Sequence, residues 1–252
     1  MKRALAVLLS LLAFPLSALA SGGGSPPPPW NPPNKLTVLF AYSSEMESRG
    51  LVCFTRPKNY YKRFCVDANR HASEMADYVN YLFEVSSVNV QAVPKATPFG
   101  HAFDPGREDD FIHVVRTLRQ QHQANVLMIV RADPWNGASG GCNRNDESCW
   151  ASWRRSGFRP LKQTVAHEIG HWHGIHHSAD EGFEGMPRHA VGWGTWAFVD
   201  VMHPQGTRGN GTIVRDTYSD HERWCNSWQR CGDYHTGSAA RYLRDKYGRW
   251  KR

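Results

Sequence analysis

Between Ala166 and Asp180 the chain reads AHEIGHWHGIHHSAD, which places five histidines within the eleven positions from His167 to His177. Imidazoles this crowded have few uses, so the stretch constrains the fold more than any other. On a helix each residue advances by about 100°, which gathers Leu161, Val165, Ile169 and Trp172 into an apolar stripe that must face a core. His167 and His171 stand four apart on a different face. There their rings lie one turn apart along the axis, where both can reach one zinc ion. Glu168 lies on the flank between that pair and the stripe, and His173 points about 140° away from the centre of the pair, which sets it aside as a ligand.

The residues just beyond the helix matter as much. Gly174 comes three residues after His171 and His177 three after that, completing His-Glu-x-x-His-x-x-Gly-x-x-His. A helix that must stop and turn its chain back needs a residue tolerant of positive φ, and Gly174 supplies it. His177 then approaches from outside the helix as the third nitrogen, with His176 its rival for that place. Three protein ligands with a fourth position open are the arrangement of catalytic zinc, whereas structural zinc is closed by four.

This pattern resembles the extended zinc motif of the metzincin metallopeptidases, matched from His167 to His177 at every specified position. The segment VDVMHP, Val199 to Pro204, is similar to the family's Met-turn, with Met202 in the place of its methionine. The resemblance implies a packing role for Met202, not ligation. A wider and less specific likeness, to the reprolysin-like (adamalysin-type) branch, covers about Leu36 to Gly248. Departures leave the subfamily open: Ser178 stands where reprolysins usually carry Asp, and Pro204 where many astacins and serralysins carry a zinc-binding Tyr. No cysteine precedes the first strand, so a cysteine-switch propeptide of the matrixin kind is absent from this stretch.

The resemblance implies a metzincin-like catalytic domain of α/β (α+β) class, with a twisted, mostly parallel sheet, long helices, the zinc helix at a cleft and an irregular C-terminal part closed by a helix. It further implies a zinc endopeptidase in which His167, His171 and His177 hold one zinc ion and Glu168 is the general base. The partner is a protein or peptide substrate, extended along an edge strand near Gly137 to Gly141; Phe183, Met186, Trp193 and Trp196, within Ser178 to Phe198, are candidates for a pocket wall or for ordinary packing. Two alternatives stay open. One is a different zinc-peptidase class that draws its third ligand from Glu181 or Glu184; the other is an exported, disulfide-stabilised zinc protein with a binding role and no proteolysis.

The rest of the chain supplies a setting. Residues 1–20 have a cationic start at Lys2 and Arg3, an apolar stretch from Ala4 to Leu16 and small residues at Ala18 and Ala20, which reads as a signal peptide and predicts a secreted or periplasmic protein. No later run is long enough to span a membrane. Residues 21–34, SGGGSPPPPWNPPN, read as a linker, leaving 35–252 as the catalytic domain, expected to be monomeric. All six cysteines fall in that domain. They allow fifteen connectivities, of which the shortest loops pair Cys53 with Cys65, Cys142 with Cys149 and Cys225 with Cys231; a cysteine-zinc cluster competes, but no C-x-x-C occurs. The formal charge of +7, or +5 without Lys2 and Arg3 (7 − 2), comes from residues scattered apart from the tail Arg249-Trp250-Lys251-Arg252 and carries no nucleic-acid signature.

Local patterns extend along the whole domain. Leu36 to Tyr42 is a buried strand, Ala68 to Phe83 a helix capped by Asp67, and Val88 to Ala92 a second strand. Glu108 to Gln121 is a helix with Phe111, Val114 or Val115, and Leu118 inward; Val126 to Val130 is a buried strand. Pro160 opens the histidine helix, and Thr236-Gly237-Ser238 caps a last one that carries Ala240, Leu243 and Tyr247 and stops at Gly248. Asn143 to Glu147 offers oxygens for calcium but reads as a surface loop, and Asn210-Gly211-Thr212 is a glycosylation sequon.

Overall fold

The first apolar run becomes β1 (Asn34–Tyr42), in which every residue from Val38 to Tyr42 is completely buried. The computed structural model describes residues 34–55, 63–100, 108–133, 140–143, 147–154, 161–177, 190, 192, 198–202, 213–214, 216–225, 227–233, 235 and 237–250. The signal segment, the linker before Asn34, Pro160, Ser178, Glu181, Glu184, Pro204, the sequon and the wall residues Phe183, Met186, Trp193 and Trp196 lie outside these.

β1 runs parallel to β5 (Val90–Pro98) on one side and to β6 (Val126–Asp133) on the other. β6 is parallel to β8 (Ser148–Arg154), and β7 (Gly140–Asn143) closes the edge antiparallel to β8. The order β5-β1-β6-β8-β7 makes a mostly parallel five-stranded sheet. Among the described residues it is accompanied by four helices, α1 (Ala68–Val85), α2 (Glu108–His122), α3 (Leu161–His173) and α4 (Ala239–Tyr247), so the class is mixed α/β.

Both faces of the sheet are covered, which is why its central strands read as continuous apolar runs. Side chains alternate between faces. Val38, Phe40, Tyr42, Val126, Met128, Val130, Cys149 and Ala151 join the core that α1 and α3 complete. Leu39, Ala41, Leu127 and Ile129 face the other way and meet Val115 of α2, with Val114, Leu118 and Trp150 partly buried around them. In α1 the inward set Ala68, Ala72, Met75, Val79, Leu82 and Phe83 is buried, and the Asp67 carboxylate accepts from the Arg70 N–H at 2.9 Å as the cap.

A three-stranded sheet of β2 (Glu47–Ser48), β3 (Leu51–Thr55) and β4 (Arg63–Asp67) precedes α1 and is not announced by any of the local sequence patterns. The disulfide Cys53–Cys65 joins directly opposed residues of β3 and β4, and Cys142–Cys149 does the same for β7 and β8. The third, Cys225–Cys231, closes the hairpin of β11 (Asp220–Trp224) and β12 (Arg230–Cys231). The shortest-loop pairing is therefore the one found. Three disulfides fit an oxidising, extracellular setting, and no described helix is long and apolar enough to cross a membrane.

The described residues of the C-terminal part form short strands and α4, and they are tied down. β9 (Phe198–Val199) and β10 (Ile213–Val214) form a short parallel pair. Arg244 of α4 makes a buried, bidentate pair with Asp220 at 2.8 and 3.0 Å and also donates to the Ser86 carbonyl. Ser238 occupies the cap position of α4, but its hydroxyl pairs with His221 Nδ1 at 2.8 Å. The free Ala239 N–H donates to the Ser219 hydroxyl, so the helix is capped from a distance of twenty residues in sequence.

Candidate metal centre

α3 is held by its apolar side. Leu161, Val165 and Ile169 are buried in the main core and Trp172 is partly buried against it. The helix then ends as the chemistry of Gly174 dictates. Gly174 adopts φ +106°, its N–H donates to the His171 carbonyl at 2.9 Å, and the Ile175 N–H reaches back to the Gly170 carbonyl at 2.9 Å. These two bonds are the Schellman closure of a helix C-terminus. The reversal brings His177 against the helix it has just left.

There the three nitrogens converge. The Nε2 atoms of His167 and His171 are 3.0 Å apart, those of His167 and His177 3.0 Å, and those of His171 and His177 2.9 Å. His176, the rival, stays outside this triangle, its ring 6.5 Å from that of His171, while its backbone N–H donates to the Ala190 carbonyl. His173 is buried on the far side of the helix.

The convergence cannot be a set of hydrogen bonds between neutral rings. His167 Nδ1 lies 2.8 Å from the Val201 carbonyl and His171 Nδ1 2.8 Å from the Ile175 carbonyl. A carbonyl only accepts, so each Nδ1 carries the proton and each Nε2 presents a lone pair. Two lone pairs facing each other at 3.0 Å repel unless a cation lies among them. Nitrogens about 2.0–2.1 Å from one tetrahedral zinc ion stand roughly 3.3 Å apart, near the spacing found. The group can therefore hold a metal ion, and the two carbonyls are the outer partners that fix ring orientation at such sites.

Those carbonyls had no signal in the sequence, because backbone atoms have none. One is supplied by the turn that Gly174 makes. The other belongs to Val201 in the turn before Met202, which Asp200 pins by accepting from the Met202 N–H at 3.1 Å and the Ser219 N–H at 2.8 Å. Met202 is fully buried beneath α3, so close to Gly170 that a methyl there would lie 3.0 Å from Met202 Cε and nearer still to its sulfur. It lies under the helix, its sulfur and methyl against Gly170. The hydroxyl of buried Tyr218 donates to the Ala166 carbonyl at 3.0 Å beside it.

Glu168 is buried, with 3% of its surface exposed. Its carboxylate lies over Gly140 of the edge strand β7. Glu147, one of the oxygens offered for calcium, forms an ion pair with Arg119.

No family model matches the chain, and no curated protein does. Solved structures do match it. One, described as the structure of a chaperone-substrate complex, superposes with a TM-score of 0.59 at 14% identity, covering 86% of this chain and 38% of the other. At that identity the likeness is one of fold. This chain spans well under half the length of the one it matches.

Proposed function

We propose that the protein is a secreted zinc endopeptidase of the metzincin type that hydrolyses peptide bonds in protein substrates. The observation that carries the reading is the convergence of His167, His171 and His177 to 2.9–3.0 Å, with two of the three rings committed by carbonyls to offering lone pairs. Spacing supports it as well: Glu168, Gly174 and Met202 stand where the metzincin pattern has them. The three imidazoles would hold a zinc ion, and the chemistry it would supply there is activation of water and polarisation of a carbonyl oxygen. Glu168 takes the proton of the attacking water and returns it to the amide nitrogen as the peptide bond breaks. Gly140 to Asn143 pairs with β8 on one side and, among the described residues, is a sheet edge on the other, along which an extended peptide can add as a strand.

The test is cleavage of a mixed peptide library by the chain from Ser21 onward, beside a zinc chelator and the Glu168→Ala variant as parallel arms. Cleavage lost in both arms is the expected result, with kcat down by at least about 100-fold in the variant. A folded, zinc-loaded protein that cuts nothing would point to the binding role. Cleavage that survives in Glu168→Ala would remove Glu168 from the mechanism.

A further inference from the structure

Gly140 has no side chain, and the space in front of its Cα is filled by Glu168. A methyl built on Gly140 would lie 2.7 Å from Glu168 Cδ, 2.8 Å from Cγ and closer still to Oε1. No real methyl sits so near, so any larger residue would displace the carboxylate. The strand is held in this position by a second contact. Cys142, two residues on and therefore on the same face of β7, places its sulfur 2.8 Å from the Glu168 carbonyl oxygen, and Cys149 of the same disulfide places its own at 3.6 Å. A disulfide sulfur carries no hydrogen, so these are packing contacts. They press the edge strand onto one residue of α3 at both its backbone and its side chain.

From this we infer that Gly140 is a positioning residue, whose missing side chain, held in place by the Cys142–Cys149 bridge, sets where the Glu168 carboxylate stands relative to the three histidines. The inference rests on the reading of Glu168 as general base. What must move when Gly140 is enlarged is the end of a flexible side chain and not backbone, so the fold should tolerate the change while the chemistry does not. Gly141 provides the control. It lies on the opposite face of the same strand, where the three atoms nearest a methyl would all belong to Trp150, the first at 2.8 Å.

The experiment compares Gly140→Ala, Gly141→Ala and wild type on the best peptide from the library, with zinc content and a crystal structure of each variant. For Gly140→Ala the expected result is one zinc per chain, KM within about threefold and kcat lower by about 100-fold, the loss that roughly 1 Å of misplacement produces. The crystal structure should show the Glu168 carboxylate moved by about that distance. Gly141→Ala, on the other face of the same strand, should leave the Glu168 carboxylate where it stands in wild type, whatever the change on the peptide-binding edge does to turnover. Glu168→Asp, one methylene shorter, vacates the contested space, so adding Gly140→Ala to it should cost less than about fivefold.

An unmoved carboxylate in Gly140→Ala overturns the inference, as does an equal displacement of it in Gly141→Ala. If Gly140→Ala alone does not accumulate, recovery of folded protein in the double variant with Glu168→Asp supports the contact, and failure to recover it counts against it. A wild-type chain that cleaves nothing removes the peptidase reading alone. The positional claim then stands or falls on whether the carboxylate moves in the Gly140→Ala crystal.

Discussion

His171 and His173 are two residues apart on α3, yet they serve opposite ends. His171 is partly exposed and turns its Nε2 towards two other imidazoles. His173 is 2% exposed, meets Phe83 edge-on at 5.7 Å and hydrogen-bonds the Tyr247 hydroxyl through Nδ1 at 2.9 Å. Burial, with Lys246 acting the same way, pushes its pKa down to about 3, so it is a neutral packing residue at any ordinary pH. Its carbonyl, one of the last of the helix, accepts from Tyr242 and Lys246 of α4. The difference teaches that residue type does not decide the role of a histidine here. What decides it is which side of the helix meets the core.

The largest expected effect breaks the ligand face. Loss of an outer partner at a metal site typically costs about 10–100-fold in affinity, and loss of a ligand more. His171→Ala and His177→Ala should each lower zinc affinity by more than about 100-fold in calorimetric titration of the metal-stripped protein. His173→Ala should bind zinc within about threefold of wild type. Equal losses in all three would erase the distinction between the two faces.

Much of this contrast is legible in the sequence, for a physical reason. Helical periodicity is a property of sequence, so the buried stripe, the pairing of His167 with His171 and the divergence of His173 all come from angles. Gly174 is legible too, since few residues accept φ +106°. Contacts between distant segments are not. Tyr247 lies 74 positions from His173, the Val201 carbonyl 34 from His167, and Gly140 meets Glu168 from another strand. The small sheet from Glu47 to Asp67 escapes for a related reason: its strands are two and five residues long, and their pairing is secured by Cys53–Cys65 and not by an apolar run.

The packing face should answer in stability where the ligand face answers in affinity. His173→Ala removes a buried ring and its hydrogen bond to Tyr247, which predicts a loss of roughly 2–4 kcal/mol in urea titration of the metal-free protein. His171→Ala, at a partly exposed position, should cost less than about 1 kcal/mol under the same conditions. A reversal of that order would place His171 in the core.

Acid should expose a further histidine of the packing kind. His71 of α1 is 6% exposed, hydrogen-bonds the Tyr42 hydroxyl at 2.9 Å and is pushed down to about 4, chiefly by burial and against the opposing pull of Glu74. Its folded pKa lies below the 6.5 of the unfolded chain, so the unfolded state takes up the proton first as pH falls. The stability held above pH 7 is therefore lost as pH drops through 6.5 towards 4, and by pH 5 the share due to His71 is about 2 kcal/mol. In chelator, wild type should lose about 2 kcal/mol more than His71→Leu between pH 7 and pH 5. Identical losses would mean that the ring is not held neutral in the folded state.

The smallest effect is expected beneath the ligand face, and it separates support from ligation. Met202 is fully buried against Gly170, between the two turns of α3 that carry His167 and His171, and its neighbour Val201 orients the first of these rings. If the side chain only fills that floor, a residue of similar volume can replace it. Met202→Leu should then cost less than about 1.5 kcal/mol in stability and leave zinc affinity within about threefold. The leucine is branched where methionine is straight, and the helix backbone at Gly170 leaves little room, so a small loss is expected in place of none. A fall in affinity beyond about tenfold, with stability preserved, would mean that the sulfur acts on the metal centre itself. The floor would then belong to the ligand face, and α3 would divide into metal and core sides less sharply than His171 and His173 suggest.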